Sequence, residues 1–214
     1  MQIDIARQVG AVARVVGTRE YEGRPARVVQ ASRSYSTDVD DLWDALTNAE
    51  RIPRWFLPIS GELKLGGRYQ LQGNASGEIT GCEPPRSLSV TWEYGGQVSW
   101  VEVRLTPEGK ERTRLDLEHI AHVPDEMWDQ YGPGAAGVGW DLAIMGLDLY
   151  LTTGTPNDPA EAMAWLGSEE GKEFVRRSSE GWGLASIAAG TPVAAATAAA
   201  ERTTGFYTGA EVGG

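Results

Sequence analysis

The stretch GAAGVGWDLAIMGLDLYLTT, residues 134–153, decides the fold. Trp140, Ala143, Ile144, Leu147 and Leu151 recur at helical spacing, while Asp141, Met145, Asp148 and Thr152 fall on the other side. The spacing predicts one long helix with a buried face and a wet one. Just upstream, over residues 114–121, the pattern alternates instead. Leu115, Leu117 and Ala121 share a side with His119, against Arg114, Asp116 and Glu118, which is the signature of a half-buried strand. A sheet with one apolar face needs a cover, and this helix is the long apolar element that follows the last strand. The space between them is then either core or pocket.

Working back from there, residues 61–105 read as successive short strands. Gly66-Gly67 marks a hairpin between residues 62–65 and 68–72, and residues 73–76 turn into a strand over 77–83. Pro84-Pro85 ends that strand, since neither proline donates to a ladder. Residues 88–94 follow with Leu88, Val90, Trp92 and Tyr94 on one face, then a Gly95-Gly96 turn and a strand over 98–105 with Val101, Val103 and Leu105 on one side. Residues 106–109 are expected to turn into the His119 strand. Nearer the N-terminus, a short helix at residues 3–8 precedes a hairpin of strands 11–21 and 27–35. Thr37 or Asp38 caps a helix carrying Val39, Leu42, Trp43 and Leu46, with Asn48 as its stop. A second short helix over 50–56 holds Pro53, and the two read as a bent lid.

The expected class is therefore α+β, a curved antiparallel sheet of about six or seven strands around a long helix. Past Thr153, Asp158-Pro159, Ser168-Glu169-Glu170 and Thr191-Pro192 each start a helix, the second carrying Phe174, Trp182 and Ile187 and the third ending near Phe206. The division expected is an N-terminal strand and short helix at 1–26, the main domain at 27–153 and a helical appendage at 154–214, with the final glycine-bearing residues frayed.

Composition narrows the function. The 214 residues carry a formal net charge of −11, which repels phosphate backbones and anionic lipid, so neither nucleic acid nor a membrane is an expected partner. The single cysteine, Cys82, forms no internal disulfide, and no apolar run has the length of a membrane span; a soluble, cytoplasmic protein is expected. Eight tryptophans against three phenylalanines supply large flat side chains that either fill a core or line a cavity.

The order of hairpin, short helices, meander and long helix over residues 30–153 resembles the START-like helix-grip superfamily, and within it the branch similar to the activator of heat-shock protein 90 ATPase. The matching pieces are Ile52-Pro53-Arg54-Trp55-Phe56, Leu65-Gly66-Gly67-Arg68-Tyr69, Pro84-Pro85 with Leu88 and Thr91-Trp92, residues 113–119, and Gly139-Trp140 with Leu147 and Leu151. The resemblance implies a cavity between helix and sheet that holds an apolar ligand or, in a minority of relatives, performs cyclisation or hydrolysis. It does not reach the C-terminal helices.

His119 is the sharpest candidate for chemistry, because an imidazole on the apolar side of a strand could move a proton; a core histidine satisfied by one hydrogen bond is the competing reading. Tyr69 and Glu78 could orient it if they point inward. Trp43, Trp55, Trp92 and Trp140 come from the four elements that would surround a cavity, with Ile144 and Leu147 as its helical wall. His119 and His122, three apart on a strand, face opposite sides, so no metal site is expected, and no cofactor motif stands out. Cys82 beside Glu83 is a poor nucleophile, and Glu93, Glu102, Asp116 and Glu118 read as a solvated outer face. Gly132-Pro133-Gly134 and Gly137-Val138-Gly139 are expected to kink the start of the long helix and leave an entrance. Three functions follow: binding of a small, mostly apolar molecule among Trp43, Trp55, Tyr69, Glu78, Trp92, His119, Trp140, Ile144 and Leu147; an enzyme using His119 as acid or base; or an interaction module that engages a chaperone or forms a homodimer through the C-terminal helices.

Overall fold

The computed structural model describes residues 3–209, so the last glycine-bearing residues lie outside the description. Among the described residues the chain is α+β, with eight strands and seven α-helices. Helix α1 (Ile5–Gly10) leads into β1 (Ala13–Tyr21) and β2 (Arg24–Tyr35), joined by a Glu22-Gly23 turn with both residues at positive φ. Helix α2 (Val39–Thr47) starts where the Asp38 carboxylate accepts the Asp41 amide at 2.8 Å and stops at Asn48. Then come β3 (Ile59–Gly61), β4 (Arg68–Leu71), β5 (Ser76–Glu83), β6 (Ser87–Tyr94), β7 (Gln97–Gly109) and β8 (Arg112–Ala121), followed by α3 (Asp125–Tyr131) and α4 (Gly134–Thr153). Helices α5 (Pro159–Leu166), α6 (Glu169–Ala188) and α7 (Val193–Thr208) complete the chain, the first two capped by Asp158 and Ser168 as expected. The strand order is β1-β2-β8-β7-β6-β5-β4-β3.

Four local expectations are corrected. Residues 62–65 are not a strand: β3 is the earlier Ile59–Gly61, and Gly61 then turns at φ +110° where a Cβ would sit 2.2 Å from the Arg68 carbonyl. Glu62 still donates its amide to the Arg68 carbonyl, but Lys64 then bonds to the Glu62 carbonyl and Gly67 to that of Lys64, so the ladder goes no further. Residues 50–56 form only a 3-10 turn at Ile52–Arg54, with Pro53 in its first turn, where no amide donor is needed. The turn expected at 106–109 lies later: β7 runs to Gly109 and absorbs Pro107, opposite Thr113, at a register shift. Finally, the supposed wet face of α4 is buried except at Thr152. Asp141 is 1 % exposed, Met145 6 % and Asp148 8 %.

The chain divides into two compact units, with the boundaries inside β2 and α4. The first joins residues 1–31, 122–142 and 158–214. Here α6 packs on α1, β1, α5 and α7, and Phe174, Val175 and Trp182 are fully buried. Gly137 exists for this packing, since a Cβ there would meet the Trp182 indole at 2.2 Å. The Asp141 carboxylate accepts from Arg14 Nε at 2.9 Å, from Trp182 Nε1 at 3.2 Å and from the Ser178 hydroxyl. Burial pushes its carboxyl pKa up, opposed by these donors.

The second unit joins residues 32–121 and 143–157. It carries β3 to β8, with α2 against β7 and β8, and the second half of α4. Leu42, Leu115, Ile120 and Leu147 are among its fully buried side chains, and Tyr35 donates its hydroxyl to the Ile144 carbonyl at 3.1 Å. Arg33 and Asp148 form a buried ion pair at 2.8 Å. Each Asp of α4 is thus matched by an arginine, which is what keeps a buried carboxylate tolerable. Among the described residues no helix is long and apolar enough to cross a membrane.

Candidate functional site

The inner sheet face of the second unit is built in cross-strand rows. Ile79, Val90, Val101 and His119 stand opposite one another across β5, β6, β7 and β8, and Cys82, Leu88, Val103 and Leu117 form the next row. Toward β8 the face is filled, and Val101, Leu105, Leu115 and Leu117 are buried. Toward β5 and β6 it is not. Leu88, Val90 and Trp92 are only half-buried although β6 is a central strand, and Phe56, Leu57, Ile59, Leu63 and Cys82 are half-buried beside them around the core of Tyr69, Leu71 and Ile79. Large apolar side chains left partly exposed on one patch form a surface that a guest can cover.

The segment after the 3-10 turn overhangs this floor. Trp55 donates its indole N–H to the Ala45 carbonyl at 2.8 Å, which ties it to α2, and its ring stacks on Phe56 at 5.4 Å. Its own carbonyl rests on α4: a Cβ at Gly146 would come within 2.7 Å of it, and Asn157 donates a side-chain amide to it at 3.2 Å. The bent lid expected from the sequence was made of two short helices; here the second of them is a single 3-10 turn.

His119 sits at the edge of the half-filled region. Its ring lies 6.4 Å from that of Trp92, which lies 6.5 Å from that of Tyr69. Nε2 is 2.8 Å from the Ser99 hydroxyl, and that hydroxyl donates to the Trp92 carbonyl at 3.1 Å. A serine has one proton, so Ser99 accepts from His119 and the imidazole carries its hydrogen on Nε2. Burial lowers its pKa to about 4, so the ring is neutral at ordinary pH.

The structure brings together Tyr69, Trp92 and His119 from the expected set, with Trp55 in the lid. Ile144 and Leu147 are fully buried in the same unit, and Trp43 is half-buried on α2. Glu78 departs from expectation: it is exposed on the outer face, opposite Arg68 in register, and orients nothing inside. The Tyr69 hydroxyl is already donated to the Thr91 carbonyl at 2.7 Å, and burial raises its pKa. Trp140 belongs to the first unit. Gly137 packs on Trp182 and a Cβ built at Gly139 would lie 3.3 Å from the Tyr207 hydroxyl, so neither opens an entrance. His122 Nδ1 lies 3.0 Å from the Pro25 carbonyl. On the outer face Glu93 pairs with Arg68 at 2.6 Å, which holds its carboxyl below the usual range, and Asp116 pairs with Arg114 at 2.6 Å.

Ser99, Phe56, Leu57 and Leu63 were not in the expected set. Ser99 shares the parity of Val101 and Val103, so the alternation of β7 carried that signal; the other three lie in irregular chain where no periodicity speaks.

Comparison with known proteins follows this architecture. The chain is similar to CalU16 from Micromonospora echinospora, whose crystal structure shares 35% identity over 82% of this chain and 98% of that one at a TM-score of 0.62. Its solution structure shares 36% over 84% and 97% at 0.68. DynU16, a protein of the dynemicin biosynthetic locus, shares 26% over 60% of this chain and 48% of its own, at 0.51. An Hsp90 activator from Plasmodium falciparum, PFC0360w, shares 21% over 61% and 99% at 0.50, a likeness of fold alone. No curated protein matches the chain. The family model described as activator of Hsp90 ATPase homolog 1-like protein matches residues 36–152, more than half of the sequence, and the chain therefore belongs to that helix-grip family.

Proposed function

We propose that the protein binds a small, mostly apolar molecule on the half-filled floor of β5 and β6, beneath the Trp55-Phe56-Leu57 overhang. The observation that carries this reading is the partial exposure of Leu88, Val90 and Trp92 on a central strand, although Ile79 and Val101, which flank Val90 across the same face, are buried. Covering such side chains contributes roughly 25 cal/mol per Å² of apolar area removed from water, enough for a guest to bind without any charge. His119, held as the Nε2–H tautomer by Ser99, is the polar group at the rim. The relative in the dynemicin biosynthetic locus supports a guest drawn from small-molecule biosynthesis.

Proton transfer by His119 is the weaker alternative. Its hydroxyl partner orients the ring, but a pKa of about 4 leaves a feeble base and an unprotonated acid near neutral pH. A chaperone-activating role rests on family membership, since the likeness to the Plasmodium falciparum activator is one of fold.

The test is fluorescence titration of the full chain with Nile red. Saturable enhancement is expected in the wild type, with loss in Leu88→Trp, which fills the floor, and weakening by about tenfold or more in Trp92→Ala. Titration without saturation, or curves that ignore Leu88→Trp, would remove the binding reading.

A further inference from the structure

The overhang above the floor is held by a residue that belongs to no helix or strand. Helix α4 ends at Thr153, where Gly154 turns at φ +68° and donates its amide to the Tyr150 carbonyl at 2.8 Å. The chain then runs on without regular structure. The Thr155 amide bonds to the Thr153 hydroxyl at 3.1 Å, and Pro156 disfavours a helical Thr155. Asn157 comes next and reaches the overhang twice. Its backbone amide is donated to the Arg54 carbonyl at 2.7 Å and its side-chain amide to the Trp55 carbonyl at 3.2 Å.

These two carbonyls call for a donor from outside. The 3-10 turn ends at Arg54, and carbonyls at the end of a helical turn have no amide ahead of them within it. Asn157 answers both in succession, so it fixes the tilt of the two peptide planes as well as their height. A carbonyl only accepts, which sets the Asn157 side chain with its nitrogen toward the overhang. That nitrogen also lies close to α4: a Cβ built at Gly146 would come within 3.1 Å of it and within 2.7 Å of the Trp55 carbonyl. Gly146 is the bearing on which the overhang rests, and Asn157 is the tie that keeps it there.

Phe56 and Leu57 follow Trp55 directly and pack against the core of Tyr69, Leu71 and Ile79 beside the open patch. Whatever holds Trp55 therefore holds them. The indole bond to Ala45 runs to a regular helix, whereas Asn157 is half-buried in irregular chain, so the Asn157 tie is the one that can give without unwinding an element. A flat guest enters with the tie intact. A thick guest has to lift Phe56 and Leu57 and break it, and selectivity is that difference in cost.

We propose that Asn157 is a positioning residue for the floor: it sets the height of the overhang and so selects flat guests over thick ones. This rests on the floor being the binding site.

The test compares two uncharged probes by fluorine NMR on the full chain, flat fluorobenzene and nearly spherical 1-fluoroadamantane. The wild type should prefer fluorobenzene. Asn157→Asp keeps the backbone amide but loses the side-chain donor, and should shift the affinity ratio toward fluoroadamantane about fivefold, the scale of one hydrogen bond; Asn157→Ala should do the same. Gly146→Ala, which lifts the same carbonyl, should shift the ratio in that direction, and adding Asn157→Asp to it should give less than the product of the two effects. Leu115→Ala destabilises the core without touching the overhang and should leave the ratio unchanged, which separates positioning from loss of stability. Circular dichroism checks folding. If Nile red saturates the wild type but neither Asn157 variant moves the ratio, or Leu115→Ala moves it equally, the proposal is overturned and the floor reading stands. If Nile red itself does not saturate, both fall.

Discussion

The inner face of the sheet is made of the same residue types at both of its ends, yet they finish in different states. On β7 and β8, Leu105, Leu115 and Leu117 are driven to 7 % exposure or less. On β6, Leu88, Val90 and Trp92 alternate just as regularly and stay partly exposed. Alternation therefore tells which face of a strand is apolar, but not whether anything is packed against it. The difference lies in what the chain lays on top: α2 on β7 and β8, and only an irregular overhang on β5 and β6.

The comparison can be broken hardest at the buried ion pair of the filled region. Asp148→Ala takes the carboxylate from Arg33, whose side chain is 2 % exposed, and should cost about 3–5 kcal/mol in urea unfolding, because a guanidinium is left in the interior without its counter-charge. Next, Leu115→Ala should cost about 3 kcal/mol as a core truncation, while Leu88→Ala, the same change on the open floor, should cost about 1 kcal/mol or less and fall on ligand binding instead. Equal costs for the two leucines would mean that the floor is core.

A subtler effect is the pH dependence carried by His119. Its pKa is about 4 in the folded chain against about 6.5 for an unperturbed imidazole, so between these limits the unfolded chain binds a proton that the folded one refuses. Its contribution to stability is complete above about pH 6.5 and lost as the pH falls to about 4, a change of up to about 3 kcal/mol and smaller to the extent that solvent reaches the ring. Urea unfolding of wild type and His119→Gln should show a flatter slope for the variant across that window. Parallel slopes would mean that other groups carry the acid sensitivity.

Much of the fold was legible because it is local. Asp38, Asp158 and Ser168 cap the helices they were expected to cap, and the β5-to-β8 meander follows from turn residues and alternation. Asp141 and Asp148 were misread because a helical wheel assigns any carboxylate to water. Their partners, Arg14 and Arg33, stand on strands more than a hundred residues earlier, where spacing within the helix cannot reveal them. The near absence of other charges from residues 134–153 was the available warning. In the candidate site, parity placed Trp92 and His119 on the inner face of their strands, and it could also have found Ser99. Glu78 went astray because β5 was read without its register. Phe56, Leu57 and Leu63 escaped because their position is set by Trp55 and its anchors, not by any repeat.

Gly146 gives that overhang an adjustable height. Since a single methyl group there would press on the Trp55 carbonyl, an alanine must prop the strap away from the helix, and larger residues would prop it further. Relatives that differ at this one position would differ in the bore of their doorway while keeping the same floor, so the breadth of molecules admitted could be retuned without touching a residue that meets them.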